Sequence, residues 1–206
     1  MKKITIILFV FAMLFLYGCS LSNDTINNSD DSLDENNYVY DGDYYFPIEI
    51  GIDDDTNHWY SSQLHALKEP IIYSQVDNNI SIYRFTCLRT FQDPFSIRIE
   101  IGKEKSARLY FKMRDSFDLT GKLEKNKERK LEKEETREFL ELLKRYDYLS
   151  LPFYDESMGL DGSIWIVEIL EDNKYHAVTT WSPENGAIYD LGKLFVDLSR
   201  QVIDEY

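Results

Sequence analysis

Cysteine is almost missing from this chain: Cys19 and Cys87 are the only two in 206 residues. A domain stabilised by a disulfide framework is therefore not expected, and its core must hold it together. Cys87 lies in an apolar run, where a buried, inert thiol is expected. Histidine is scarce as well, at three. His58 and His65 are seven positions apart, not the four that place two ligands on one helix face. No His-Glu-x-x-His or Cys-x-x-Cys stretch occurs, so no zinc site is expected. The acidic stretch Asp53-Asp54-Asp55-x-Asn57 begins like a calcium loop. It carries His58 where that loop needs glycine and Leu64 where it needs a bidentate glutamate, so a solvated acidic loop is expected there. No Gly-x-Ser-x-Gly turn supports a serine hydrolase, and no cofactor is expected. Cations are outnumbered, 23 Lys and Arg against 37 Asp and Glu, for a net charge of −14. That balance excludes the basic footprint that nucleic acids require.

What is present begins with an address. Lys2 and Lys3 precede an apolar run over residues 4–17, and no carboxylate appears before Asp24. This is the layout of a secretory signal peptide. The run is shorter than the roughly 20 residues needed to span a bilayer as a helix. It ends at Leu16-Tyr17-Gly18-Cys19, which resembles the junction of a bacterial lipoprotein leader: a small residue precedes a cysteine whose thiol accepts the lipid. On this reading residues 1–18 are the signal peptide and Cys19 is the lipidation site. The protein is then expected on the cell membrane or outer membrane, facing away from the cytoplasm, and Ser20 is compatible with outer-membrane sorting. Two or three acyl chains, at about 0.8 kcal/mol per buried CH₂, hold such a protein firmly. Losing Lys2 and Lys3 takes the net charge from −14 to −16. Such a surface repels anionic head groups, so the lipid must act alone. Residues 19–37 are rich in Ser, Asn and Asp and show no periodicity. They read as an acidic tether spanning roughly 25 Å as a coil.

Residues 38–206 are expected to form a single domain. Hydrophobic residues make up 43% of the chain and aromatics 15%, enough for a substantial core. Residues 44–51 read as an edge strand because of Pro47, and residues 58–68 as a helix capped by Asn57 and stopped before Pro70. Residues 71–76 and 80–90 read as strands joined by the turn-forming Asp77-Asn78-Asn79. Ile97, Ile99 and Ile101 alternate with Arg98 and Glu100, and Ala107, Leu109, Phe111 and Met113 alternate with Arg108, Tyr110 and Lys112. Pairing Ile99 with Leu109 places Glu100 opposite Arg108 on a wet face. Residues 125–130 are a charge run, expected as a solvated linker or helix start. Residues 131–146 form an amphipathic helix, with Phe139, Leu142, Leu143 and Tyr146 on one side. Residues 163–170 and 174–181 make a second hairpin about Asp172-Asn173, with Ile164 facing Trp181 and Val167 facing Val178. Ile188, Leu191, Leu194, Phe195, Leu198 and Val202 stripe a final helix. The composite is an α+β domain, an antiparallel sheet of hairpins covered on one face by two main helices.

From about His58 onward the chain resembles a widespread family of bacterial proteins with no established activity. The residues that carry this are Glu69-Pro70, Tyr83-Arg84-Phe85, Leu88-Arg89-Thr90-Phe91 with Pro94, and Arg98-Ile99-Glu100. They continue with Gly159-Leu160-Asp161-Gly162, Trp165, Glu168, Tyr175-His176 and Trp181-Ser182-Pro183. The resemblance implies a shared fold and supplies no reaction. Thr180 stands where the family is expected to carry arginine, and Asp118-Leu119-Thr120-Gly121 where it carries a Gly-Gly-Tyr element.

The oddity within the domain is charge inside apolar strands: Arg84, Arg89 and Glu168. A strand charge usually sits on the wet face, and that is the expectation for Arg84. If two of these groups are buried they must pair, as Arg89–Glu168 or Arg84–Glu69, beside a pocket. Trp165, Tyr175, His176 and Trp181 are expected as core plus surface. The alternative is a cleft with Asp161 that stacks a sugar or peptide. The candidate network is thus Glu69, Arg84, Arg89, Asp161, Trp165, Glu168, His176 and Trp181. Two functional readings follow. The first is a membrane-anchored, non-enzymatic interaction domain, of an immunity type, meeting a cationic protein partner. The second is an enzyme with a site around Glu168, Arg89, His176 and Asp161. A Cys87–His176 nucleophile pair is disfavoured by the apolar surroundings of Cys87.

Overall fold

A computed structural model describes residues 40–75, 79–153, 159 and 161–203. The chain divides into two units, Met1–Asn37 and Tyr38–Tyr206, and the described residues all belong to the second. The leader, Cys19 and the tether lie outside the described residues.

The elements run α1 (Asp54–Ala66), β1 (Ile80–Arg89), β2 (Phe95–Gly102), β3 (Ala107–Arg114), β4 (Leu123–Lys130), α2 (Lys133–Arg145), β5 (Ser163–Glu171), β6 (Lys174–Trp181) and α3 (Ala187–Ser199). The strands form one antiparallel six-stranded sheet in the order β4-β3-β2-β1-β5-β6, an α+β fold. Both expected hairpins form in the expected register: Ile99 opposite Leu109 and Glu100 opposite Arg108 in one, Ile164 opposite Trp181 and Val167 opposite Val178 in the other. β1 joins them by pairing with β5.

Side chains alternate across each strand, so the sheet has two faces. One face carries Tyr83, Phe85, Ile97, Ile99, Leu109, Phe111, Trp165 and Val167, and it packs against Phe139 of α2 and Leu191 and Phe195 of α3. Rings meet edge-on there: Phe85 with Trp165 at 5.0 Å and Phe139 with Phe195 at 5.1 Å. α2 opens with a capping box in which Glu132 and Glu135 each take a backbone N–H. α3 buries Gly192 against Trp165, because a Cβ there would enter the ring. The two main helices thus cover one face, as expected.

The opposite face is covered too. Tyr45, Phe46, Tyr60 and Leu64 from the segment before β1 pack on Leu88, Ile166 and Ala177. α1 starts at Asp54, four residues earlier than expected, because the Asp53 side chain accepts from Thr56 N at 2.9 Å and caps it. The acidic stretch read as a solvated loop is therefore a helix start.

Four further expectations are corrected. Residues 44–51 form a short 3₁₀ turn, Ile48–Ile50, and not an edge strand. Residues 71–75 are turn and irregular backbone, not a strand. Residues 123–130 are strand β4, neither linker nor helix start. Val202 lies beyond α3 and is 88% exposed, so the apolar stripe ends before it.

Candidate functional site

One transverse row of the sheet holds three buried charged residues side by side. Reading across it, Tyr110 of β3 faces Arg98 of β2, Arg98 faces Arg84 of β1, and Arg84 faces Glu168 of β5. Arg84 and Glu168 are both 0% exposed, so Arg84 is not on a wet face. The surface expectation failed because it left the segment before β1 out of account, and that segment roofs this face. Arg84 meets Glu168 in a two-point fork, Nε to Oε2 at 2.6 Å and Nη2 to Oε1 at 2.7 Å. Tyr175 donates its hydroxyl to Glu168 Oε1 at 2.9 Å. Planar pairing of this kind is the strongest geometry available to an ion pair.

Two arginines directly opposite one another repel. Glu69 resolves this. It descends from the irregular stretch after α1 and places Oε2 2.9 Å from Arg98 Nε and 3.6 Å from Arg84 Nη1. Its Oε1 lies 3.2 Å from Lys112 Nζ. Burial would raise the Glu69 carboxyl, but Arg84, Arg98 and Lys112 outweigh it and hold the group below the usual carboxylate range. Glu100 also pairs with Arg98, whose guanidinium sits 4.3 Å over the Tyr110 ring. Three cations thus meet three carboxylates.

The backbone beside Glu69 is captured as well. Arg84 Nη1 donates to Pro70 O at 2.7 Å, Tyr45 Oη donates to Glu69 O at 2.8 Å, and Lys112 Nζ donates to Lys68 O. Burial pushes the Tyr45 hydroxyl up to about 12. The network is therefore the fastening of the roof: three consecutive carbonyls are tied to side chains beneath them. A shallow cavity of about 490 Å³ lined by Tyr45, His65, Lys68, Glu69 and Leu119 is its opening to the surface.

The Arg84–Glu69 pair expected from the sequence forms, at 3.6 Å, as the weaker of two contacts. The Arg89–Glu168 pair does not. Arg89 is an odd number of residues from Arg84, so the two emerge on opposite faces. Arg89 instead donates to Asp93 O at 2.6 and 3.0 Å and to Gln92 Oε1 at 2.9 Å, bracing the β1–β2 turn. Trp165 is a core ring, 1% exposed. Trp181 and Tyr175 are half-buried on the other face, and Asp161 is exposed in the loop before β5. His176 is half-buried with Nε2 3.1 Å from Leu151 O, and burial lowers its basicity. The aromatic residues therefore split between core and surface and line no common cleft.

The four groups of the enzymatic reading do not converge. Glu168 lies on one face, Arg89 and His176 on the other, and Asp161 in a loop. Cys87 shares a face with His176, but it pairs with Trp165 while His176 pairs with Ile169. Four residues of strand, about 13 Å, separate those rows. Burial pushes the Cys87 thiol up to about 12. No group of three or more His, Cys, Asp or Glu arranged to hold a metal occurs among the described residues.

Sequence reading missed Arg98, Lys112 and Tyr45 as network members, and also missed Arg114, which like Arg84 is 0% exposed and donates to Gln63 Oε1 and Asp118 O. Parity along β1–β3 marks Arg84, Arg98 and Lys112 as sharing a face. Nothing in the sequence states that the face is covered. No protein-family model matches the chain, and no curated protein does.

Proposed function

We propose that the protein is a lipid-anchored, extracytoplasmic bacterial lipoprotein whose domain binds another protein without catalysing a reaction. The observation that carries this is the apolar run after Lys2 and Lys3 that ends at Gly18-Cys19. The domain adds support of a different kind. Its concentrated ionisable groups are buried and spent on one another: both Glu168 oxygens accept hydrogen bonds, and Arg84 donates from all three nitrogens. Groups so engaged hold a roof in place and are poorly placed to exchange protons with a substrate. The net charge of −14 favours a cationic protein as the partner. The resemblance to a family of bacterial proteins is part of this reading.

Membrane fractionation of the wild type and Cys19→Ser, with intact-mass analysis, tests the anchor. The wild type is expected in the membrane with a diacylglycerol-bearing N-terminus, and the variant in the soluble fraction. An unmodified thiol at residue 19 in a membrane-free protein overturns it. Cross-linking in intact cells at low and high salt tests the partner, which is expected to be basic and salt-sensitive.

A further inference from the structure

The sheet has two edges, and they differ. β6 is bridged by the chain between α2 and β5: Thr179 donates its backbone N–H to Phe153 O at 2.7 Å. β4 pairs with β3 on one side and, among the described residues, with no strand on the other. An unpaired edge presents a row of N–H and C=O groups to any extended chain that reaches it.

The charge of that edge is opposite to the charge of the protein. Residues 122–130 carry five cations and two carboxylates in a chain of net charge −14. Glu128 pairs with Arg108, and Arg129 pairs with Glu135. Among the described residues no carboxylate pairs with Lys122, Lys125, Lys127 or Lys130. Lys125 and Lys127 stand opposite Met113 and Phe111, on the side of the sheet that faces the helices, while Lys130 stands opposite Arg108 on the other side. Lysines on an open edge repel a second copy of the same edge, because pairing would set like charges opposite one another. The same lysines attract a strand of the opposite sign.

We propose that β4 receives an extended acidic segment of a partner protein by strand addition. Backbone hydrogen bonds extend the sheet by one strand. Carboxylates two residues apart on the incoming segment meet Lys125 and Lys127 on one side, and a residue of the other parity meets Lys130. The recognised pattern is acidic-x-acidic in an otherwise β-prone stretch. This rests on the reading of the domain as a protein-binding module, and it adds a second kind of partner at a defined edge.

The test is fluorescence anisotropy of the full-length protein with a labelled ten-residue peptide alternating glutamate with valine or threonine. The same peptide with N-methylated backbone amides and a lysine-for-glutamate version serve as comparisons. The acidic peptide is expected to bind, the N-methylated and lysine peptides not to bind. Lys125→Glu/Lys127→Glu is expected to weaken binding by about tenfold or more. Equal binding of the N-methylated peptide, undiminished binding to the double variant, or no binding at millimolar peptide overturns strand addition. A dimer of the wild type that the double variant abolishes also overturns it, because the edge would then serve a second copy. If the double variant melts lower than the wild type, the N-methyl comparison on the wild type decides. A basic partner captured equally by wild type and double variant, with no peptide binding, sinks this proposal and leaves the interaction reading standing.

Discussion

Replacing Arg84 by methionine is the sharpest test of the buried row. The substitution keeps a long apolar stem and removes the guanidinium. Glu168 is left with the Tyr175 hydroxyl, Pro70 O loses its donor, and Glu69 loses one of three cations. Removing one partner of a buried ion pair costs about 3–5 kcal/mol, because the other charge stays desolvated. In a domain of this size each kcal/mol shifts the melting temperature by about 2–4 °C. Arg84→Met should therefore melt roughly 6–20 °C below the wild type. Glu168→Leu should cost a similar amount. The double variant Arg84→Met/Glu168→Leu exchanges two charges for two apolar side chains, and it should be more stable than the sum of the single losses predicts by at least about 2 kcal/mol. Urea unfolding followed by tryptophan fluorescence gives all four corners of the cycle. A single-variant loss below about 1 kcal/mol would mean the pair behaves as a solvated surface bridge. Coupling below about 0.5 kcal/mol would mean that something other than their contact holds these residues.

Gly192→Ala inverts a familiar rule: alanine for glycine inside a helix ordinarily gains about 1 kcal/mol. Here the new methyl would enter the Trp165 ring and lie 3.1 Å from Phe85 Cζ. A loss of about 1–3 kcal/mol on urea unfolding is expected, and a gain refutes the close approach. Hydrogen bonds from Arg129 hold the Glu135 carboxyl down at about 2, against an ordinary 4.5. A carboxyl more acidic when folded adds stability above its unfolded value and loses it as pH falls towards its folded one. Melting temperature should thus fall more steeply from pH 4.5 to 2 in the wild type than in Glu135→Gln, and parallel curves would refute the assignment. With its thiol buried and pushed up to about 12, Cys87 should resist iodoacetamide at neutral pH in the native protein and react once unfolded. Native-state alkylation at the unfolded rate would show that β1 opens.

The hairpins were legible because alternation is local: each strand's own residues say which side is apolar, and the turn sets the register. β4 was not legible. Its residues, Leu-Glu-Lys-Asn-Lys-Glu-Arg-Lys, show no apolar alternation, because an edge strand with little core contact has no reason to acquire it. Residues 71–76 failed in the other direction: Ile71, Ile72 and Tyr73, apolar and bulky, made the stretch read as a strand, yet residues 71–75 serve as the strap beside Glu69. Ile72 is fully buried there without any sheet partner.

The linear chain determined the α+β class, the two hairpins with their pairings and the α2 and α3 helices, because these follow from periodicities within a few residues. It also carries the Gly18-Cys19 junction on which the proposed anchor rests. Only the tertiary structure decided whether Arg84 meets water or Glu168, that Arg89 belongs to the opposite face, and that Glu69 comes between two arginines. Those outcomes depend on a roof delivered by residues 40–75, and burial is a property of what covers a side chain, which no window of its own neighbours contains.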